Sequence, residues 1–157
     1  VKVERDPFDA PHLGGARVLL VIAPYYREVA AHLERGARAA AERASVAVDV
    51  ITVPGAFEIP GAIVQAGRLR RYDGYVGLGC VVRGETSHYD YVCGESARGL
   101  MDLALKGVAI GYGILTVDTI EQALVRADPA QGDKGGEATR ACLTMIALER
   151  QFTNDLT

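Results

Sequence analysis

Four short runs of nearly unbroken apolar residues, each followed by a stretch with helical spacing, constrain this chain more than any other feature. The first, RVLLVIA at residues 17–23, is interrupted only by Arg17. A strand that meets solvent on one face alternates apolar and polar side chains. One that reads apolar throughout is buried on both faces, which is the condition of a parallel sheet covered by helices. Pro24 stops the run, and from residue 26 to 44 the apolar positions Val29, Leu33, Gly36, Ala37 and Ala40 recur at the helical interval. The cycle then repeats. Strands are predicted at 46–53, 74–82 and 108–115. Helices are predicted from PGAFEIP to about residue 71, and over 87–106 with Cys93, Ala97, Leu100 and Ala104 inward. Two more are predicted: 118–127 from an Asp118 cap, and 136–152 with an inward stripe of Ala138, Ala141, Cys142, Met145, Leu148 and Phe152.

Such alternation builds parallel βα units joined by right-handed crossovers. The expected fold is α/β: a single flavodoxin-like three-layer domain, in which a four-stranded parallel sheet carries helices on both faces. It takes residues 16–157. Residues 1–15 hold two prolines, three acids and Gly14-Gly15 without periodicity, and are expected to form an N-terminal arm ordered only by a neighbouring surface.

Composition removes several function classes. A net charge of −3 argues against a nucleic-acid binder, whose footprint is basic. The apolar content is too high for a disordered chain, and the apolar runs are too short to span a membrane. The opening residues, charged and broken by proline, do not read as a signal peptide. Cys80, Cys93 and Cys142 are odd in number and form no CxxC pair, so they read as reduced thiols in the cytoplasm rather than as a disulfide framework or a zinc site. The residues AVILMFWYC make up 49% of the chain, and eighteen glycines come on top. This apolar excess over ordinary globular chains suggests a surface that another subunit covers.

In open parallel sheets ligands bind beyond the carboxyl ends of the strands, which directs attention to the loops APYYRE, PGAFEIP, VRGETSH and GYGILTVDT. Familiar motifs are absent there. Gly77 and Gly79 begin a GxGxxG that fails at Val82, and no Walker A sequence exists. Arg98 occupies the last glycine position of a nucleophile elbow begun at Gly94. Ala23 and Val82 end strands where a response regulator would want acids. What remains is Arg83-Gly84-Glu85-Thr86-Ser87-His88, between a buried strand and a helix N-terminus. Free N–H groups and the helix dipole there suit a phosphate, Gly84 permits close approach, and Thr86 or Ser87 adds a hydroxyl. The positive helix end favours a neutral His88 able to accept a proton. Read structurally, His88 is a packing residue and Thr86 a cap; His12 and His32 read as surface residues. At PGAFEIP, Pro54-Gly55 makes a turn, while Glu58 with free N–H groups suits a polyhydroxylated ligand beside Phe57. Tyr25 and Tyr26 offer faces for a planar ring or simply pack. Arg126 and Lys134, by themselves, are ordinary surface cations. The residues therefore point to a phosphorylated, partly planar, hydroxyl-rich ligand and one histidine for proton transfer.

At PGAFEIP, GCVVRGETSHYDYVCGESARGL, GILTVDTIEQALVRA and GDKGGEA the chain resembles the lumazine synthases, with these segments in the family's order and spacing from the first strand to Phe152. The resemblance implies condensation of 5-amino-6-(D-ribitylamino)uracil with 3,4-dihydroxy-2-butanone 4-phosphate to 6,7-dimethyl-8-ribityllumazine, releasing phosphate and water, with no metal or cofactor. It also implies the residue roles. Tyr25 stacks on the pyrimidine; Ala56, Phe57 and Glu58 line the ribityl and pyrimidine contacts; Cys80, Val81 and Val82 meet the ring. Gly84, Glu85 and Thr86 cradle the phosphate, Arg126 pairs with it, and His88 transfers protons. Tyr112 and Lys134 border the pocket. The family builds each pocket between adjacent subunits of a pentamer, and riboflavin synthase is the functional partner implied. A pentamer or a pair of pentamers is expected here rather than a capsid. The chain departs from the family's habit at three places: Pro24-Tyr25-Tyr26 where many members have Arg-Phe-Asn, Tyr112 where Phe is frequent, and Ala130 where some carry Lys. Two other readings remain: a protein that binds lumazine or flavin without turnover, and a structural shell protein. Intact His88 and Arg126 favour catalysis.

Overall fold

The computed structural model describes residues 12–156. Its elements alternate as the apolar runs require. They are β1 (Arg17–Ile22), α1 (Arg27–Arg43), β2 (Ala47–Thr52), a short 3-10 turn (Ala56–Glu58), α2 (Ile59–Gly67), β3 (Gly74–Val82), α3 (His88–Leu105), β4 (Ala109–Val117), α4 (Ile120–Ala127) and α5 (Lys134–Asp155). The sheet has the order β2-β1-β3-β4 and every pairing is parallel. This is the expected three-layer α/β domain.

The unbroken run of β1 serves two cores. Val18, Leu20 and Ile22 pack with α1, α4 and α5, while Leu19, Val21 and Ala23 pack with α2 and α3. Successive side chains on a strand point to opposite faces, so a strand with helices on both faces has no polar position left. The outer strands are covered less. On β2, Ile51 and Thr52 are exposed, and on β4, Tyr112 and Thr116 are. Helix α5 lies antiparallel to β4, with Ala138 over Gly111 and the Cys142 thiol donating to the Ala109 carbonyl at 3.6 Å. A β-carbon on Gly111 would stand 2.2 Å from the Ala138 carbonyl oxygen, so only glycine lets the helix sit this close.

Several local expectations are corrected. Helix α3 buries Val92, Ser96 and Leu100, and Ala97 is exposed, because the helix meets the sheet along a line of four-residue steps. Helix α5 buries Ala138, Thr139, Cys142, Leu143 and Ile146, while Ala141, Met145, Leu148 and Phe152 face outward. It packs against α1 as well as the sheet, which rotates its buried stripe toward Thr139 and Leu143. Thr119, not Asp118, caps α4: its side chain accepts from the Gln122 N–H at 3.3 Å, and Gln122 Oε1 accepts the Thr119 N–H in return, a capping box. Helix α2 ends at Gly67, short of residue 71, and Arg70 adopts a left-handed backbone just beyond it. Of the expected arm, residues 1–11 lie outside the described residues. Leu13 belongs to the core, its N–H donating to the Ala44 carbonyl at 2.9 Å.

Candidate active site

Strand β3 outlasts β1. Their register ends at Ile22 opposite Leu78, and the Ala23 N–H closes the ladder on the Leu78 carbonyl at 2.9 Å. On its other flank β3 stays paired with β4 to the Val82–Val117 rung, and the Arg83 N–H donates to the Val117 carbonyl at 2.8 Å. Backbone groups alternate sides along a strand, so those of Cys80 and Val82 point to the side where β1 has stopped. The result is an open stretch of strand edge at the carboxyl end of the sheet.

That edge is one wall of a cleft of about 610 Å³. The β1–α1 connection brings Tyr25 and Tyr26, the β2–α2 turn brings residues Pro54 to Glu58, β3 brings Cys80 to Val82, and the start of α3 brings His88, Tyr91 and Val92. The Tyr25 ring is 75% exposed and stands edge-on to Tyr26, with centroids 4.9 Å apart and planes at 72°. Phe57 is 57% exposed across the cleft mouth. Both offer large apolar faces that nothing among the described residues covers. Ala56 is buried at the base of the turn, and among the described residues no hydrogen bond takes the N–H of Ala56 or Phe57. Burial pushes the Cys80 thiol up to about 11, so it is a neutral wall and not a thiolate nucleophile.

Beyond β3 the chain turns through Gly84, Glu85, Thr86 and Ser87 into α3. Among the described residues no hydrogen bond takes the backbone N–H of any of these four. Ser87 makes no side-chain cap, and the Thr86 hydroxyl accepts only a long 3.4 Å bond from the His88 N–H. A row of unpaired donors at the positive end of an 18-residue helix is suited to an anion. His88 is exposed in the first turn of α3, and among the described residues its imidazole makes no hydrogen bond. Among the same residues no three His, Cys, Asp or Glu side chains gather to hold a metal.

The fold thus brings Tyr25, Ala56, Phe57, Glu58, Cys80, Val81, Val82 and His88 to one cleft, with Gly84, Glu85 and Thr86 in the loop that leads into His88. It does not bring the other three. Tyr112 lies mid-strand on β4 opposite Gly77, and burial raises its hydroxyl above the usual range. Arg126 donates to the Gln122 carbonyl at 3.1 Å in the last turn of α4, and Lys134 pairs with Glu137 at 2.9 Å where α5 begins. Sequence reasoning missed Pro54, Gly55, Tyr91 and Val92 as lining residues. Tyr91 and Val92 follow His88 at three and four residues, a helical-face signal that was available.

The comparisons with known proteins cover this same architecture. The family model for 6,7-dimethyl-8-ribityllumazine synthase matches residues 15–150. A relative of that name from Novosphingobium aromaticivorans is 55% identical over 138 residues, covering 88% of this chain and 99% of its own. One from Methylorubrum populi is 50% identical over 158 residues and covers 94% of each chain. One from Zymomonas mobilis is 50% identical over 138 residues, 88% of this chain and 99% of its own. Because the match runs from before β1 well into α5 and takes in every loop that lines the cleft, the chain belongs to the 6,7-dimethyl-8-ribityllumazine synthase family.

Proposed function

We propose that this protein catalyses the lumazine synthase step of riboflavin biosynthesis. It condenses 5-amino-6-(D-ribitylamino)uracil with 3,4-dihydroxy-2-butanone 4-phosphate to 6,7-dimethyl-8-ribityllumazine, with release of phosphate and water. The observation that carries this reading is the cleft itself: exposed aromatic faces, an open strand edge and a histidine converge beside a loop of four unpaired N–H groups. A pyrimidine stacks on Tyr25, and its edge meets the backbone of Cys80, Val81 and Val82 as a neighbouring strand would. The ribityl chain runs over Ala56, Phe57 and Glu58. The phosphate sits on Gly84, Glu85 and Thr86.

The chemistry needs few protein groups. The pyrimidine amine attacks the ketone and loses water to form an imine. His88 takes the proton whose loss lets phosphate leave, and the helix N-terminus with Arg126 stabilises the departing charge. The resulting enol tautomerises, the ribitylamino nitrogen attacks the new carbonyl, and a second water leaves. Holding two substrates in register supplies much of the rate.

Tyr112, Arg126 and Lys134 lie outside the cleft of their own chain, which supports a site completed by an adjacent copy in a homopentamer or a multiple of it. Exposed Tyr91, Met101 and Leu105 on α3 and Val64 on α2 supply apolar surface for such an interface. The enzyme works in the cytoplasm, where riboflavin synthase consumes its product. A single-turnover absorbance assay with both substrates tests the reading. Growth of the lumazine chromophore well above a no-protein control supports it. Tight binding of lumazine without growth leaves a binding protein of the same fold.

A further inference from the structure

Arg83 opens the motif that carries the site, yet it does not line the cleft. Its backbone N–H closes the β3–β4 ladder on Val117. Its side chain turns away from the loop that follows. Nε donates to Asp118 Oδ1 at 3.0 Å, Nη1 lies 3.8 Å from Asp90 Oδ1, and the guanidinium carbon sits 4.3 Å over the Tyr89 ring. One side chain therefore ties the residue before the loop to the first turn of α3 after it, and both to the connection that leads into α4. Gly84 to Ser87 hang between these ties without a side-chain cap, and a β-carbon on Gly84 would meet only open space.

We propose that Arg83 is a positioning residue: it holds the Gly84–Ser87 loop so that its N–H groups converge on the phosphate, and it does not touch the phosphate itself. The assignment rests on the reading of that loop as the phosphate cradle. The guanidinium's hydrogen bond goes to Asp118, its face lies over Tyr89 and Asp90 stands within ion-pair range, and none of these partners belongs to the Gly84–Ser87 loop. Arg126, which pairs with no carboxylate among the described residues, is the better candidate for contact with the phosphate.

The test measures KM for each substrate, kcat, and inorganic phosphate affinity by calorimetry, in wild type, Arg83→Met, Arg83→Lys, Asp118→Asn and the double variant Arg83→Met/Asp118→Asn. Exposed ion pairs and cation–π contacts are individually weak, so Arg83→Met is expected to raise KM for the phosphorylated substrate about fivefold. Phosphate affinity should fall by a similar factor, with KM for the pyrimidine unmoved. Arg83→Lys, which keeps a charge, recovers part of the loss. Asp118→Asn moves the same parameters in the same direction, and the double variant is no worse than Arg83→Met. The opposite sign for Asp118→Asn, tighter phosphate binding once the arginine is released, would make Arg83 a direct ligand and overturn the proposal. So would a rise in both substrates' KM together, the mark of general loosening, or no change in Arg83→Met. A wild type without turnover refutes the functional reading separately, because phosphate affinity still judges Arg83.

Discussion

Gly135→Ala sets two physical effects against each other at one position. Gly135 is the second residue of α5, and helix propensity alone favours alanine there by up to about 1 kcal/mol. A β-carbon at this point would stand 2.0 Å from the Leu33 carbonyl oxygen, 2.8 Å from its carbonyl carbon and 2.9 Å from its α-carbon. All three are backbone atoms of α1, and none can swing aside as a side-chain tip could. Restoring van der Waals contact needs α1 and α5 to part by about 1 Å, through a close-packed interior that includes fully buried Leu33. Overpacking of this kind costs about 1–3 kcal/mol, and backbone against backbone belongs at the upper end. The close approach wins, with a net loss of about 2 kcal/mol and a fall in Tm of about 5 °C for a chain of this size. The assay is denaturant and thermal unfolding at fixed chain concentration, since assembly makes apparent stability depend on it. Gly94→Ala is the control within one chain: Gly94 is exposed in α3 with open space around its missing side chain, so inside the chain propensity alone acts and stability should hold or rise slightly. A Gly135→Ala protein as stable as wild type or more so would refute the reasoning, and with it the account of how α5 seats on α1.

His88→Ala should lower kcat by roughly a hundredfold while substrate binding is largely kept, as loss of a general base does; unchanged kcat in steady-state assays removes it from the mechanism. Arg126→Ala should raise KM for the phosphorylated substrate roughly tenfold or more and leave the pyrimidine alone, and an effect confined to the pyrimidine means the phosphate is misplaced. Sedimentation should give a particle of five or ten chains, and one near sixty would show a capsid instead. Burial pushes the Cys142 thiol up from 9.0 to about 12 and the Cys80 thiol up to about 11, so the folded state holds both protons more tightly than the unfolded chain. Their contribution to stability is complete below pH 9.0 and is lost as pH climbs through 11 toward 12. Unfolding measured against pH should show this fall and a shallower one in Cys142→Ala; identical profiles would remove that thiol from the alkaline loss.

The parallel sheet was legible because burial on both faces writes itself as an apolar string, and β3 was placed to the residue. The inward faces of α3 and α5 were not. Ala97 and Ala141 are apolar but small, so exposing them costs little. Ser96 and Thr139 are polar but buried, each hydroxyl satisfied by a carbonyl of its own helix, to Cys93 at 3.2 Å and to Gly135 at 2.9 Å. A hydrophobicity pattern reads both pairs the wrong way round. Asp118 looked like a cap for a similar reason. Its carboxylate goes to Arg83, a partner 35 residues back that no local pattern announces, and the capping falls to Thr119 and Gln122. At the site, residues contributed by strand-end loops of one chain were legible, because the topology gathers those loops. Tyr112, Arg126 and Lys134 entered through resemblance alone, and one chain's geometry does not gather them.

Pro24, which ends the first apolar run, has a structural logic of its own. The Val53 N–H donates to the Ile22 carbonyl at 2.9 Å, the last rung between β1 and β2. By alternation the next donor from β1 toward β2 belongs to residue 24, and Pro24 has none. On β2 alternation points Pro54 away from β1, and the strand ends there because residue 55 onward drops into the 3-10 turn that carries Ala56, Phe57 and Glu58. Proline also holds the residue before it extended, which keeps Ala23 in line to close the ladder on Leu78. Pro24 and that turn therefore stop β1 and β2 at the same level while β4 supports β3 to Val82. The difference in length between those strands is the depth of the cleft. Pro24 fixes by covalent geometry the step on which the open edge of Cys80 and Val82 depends.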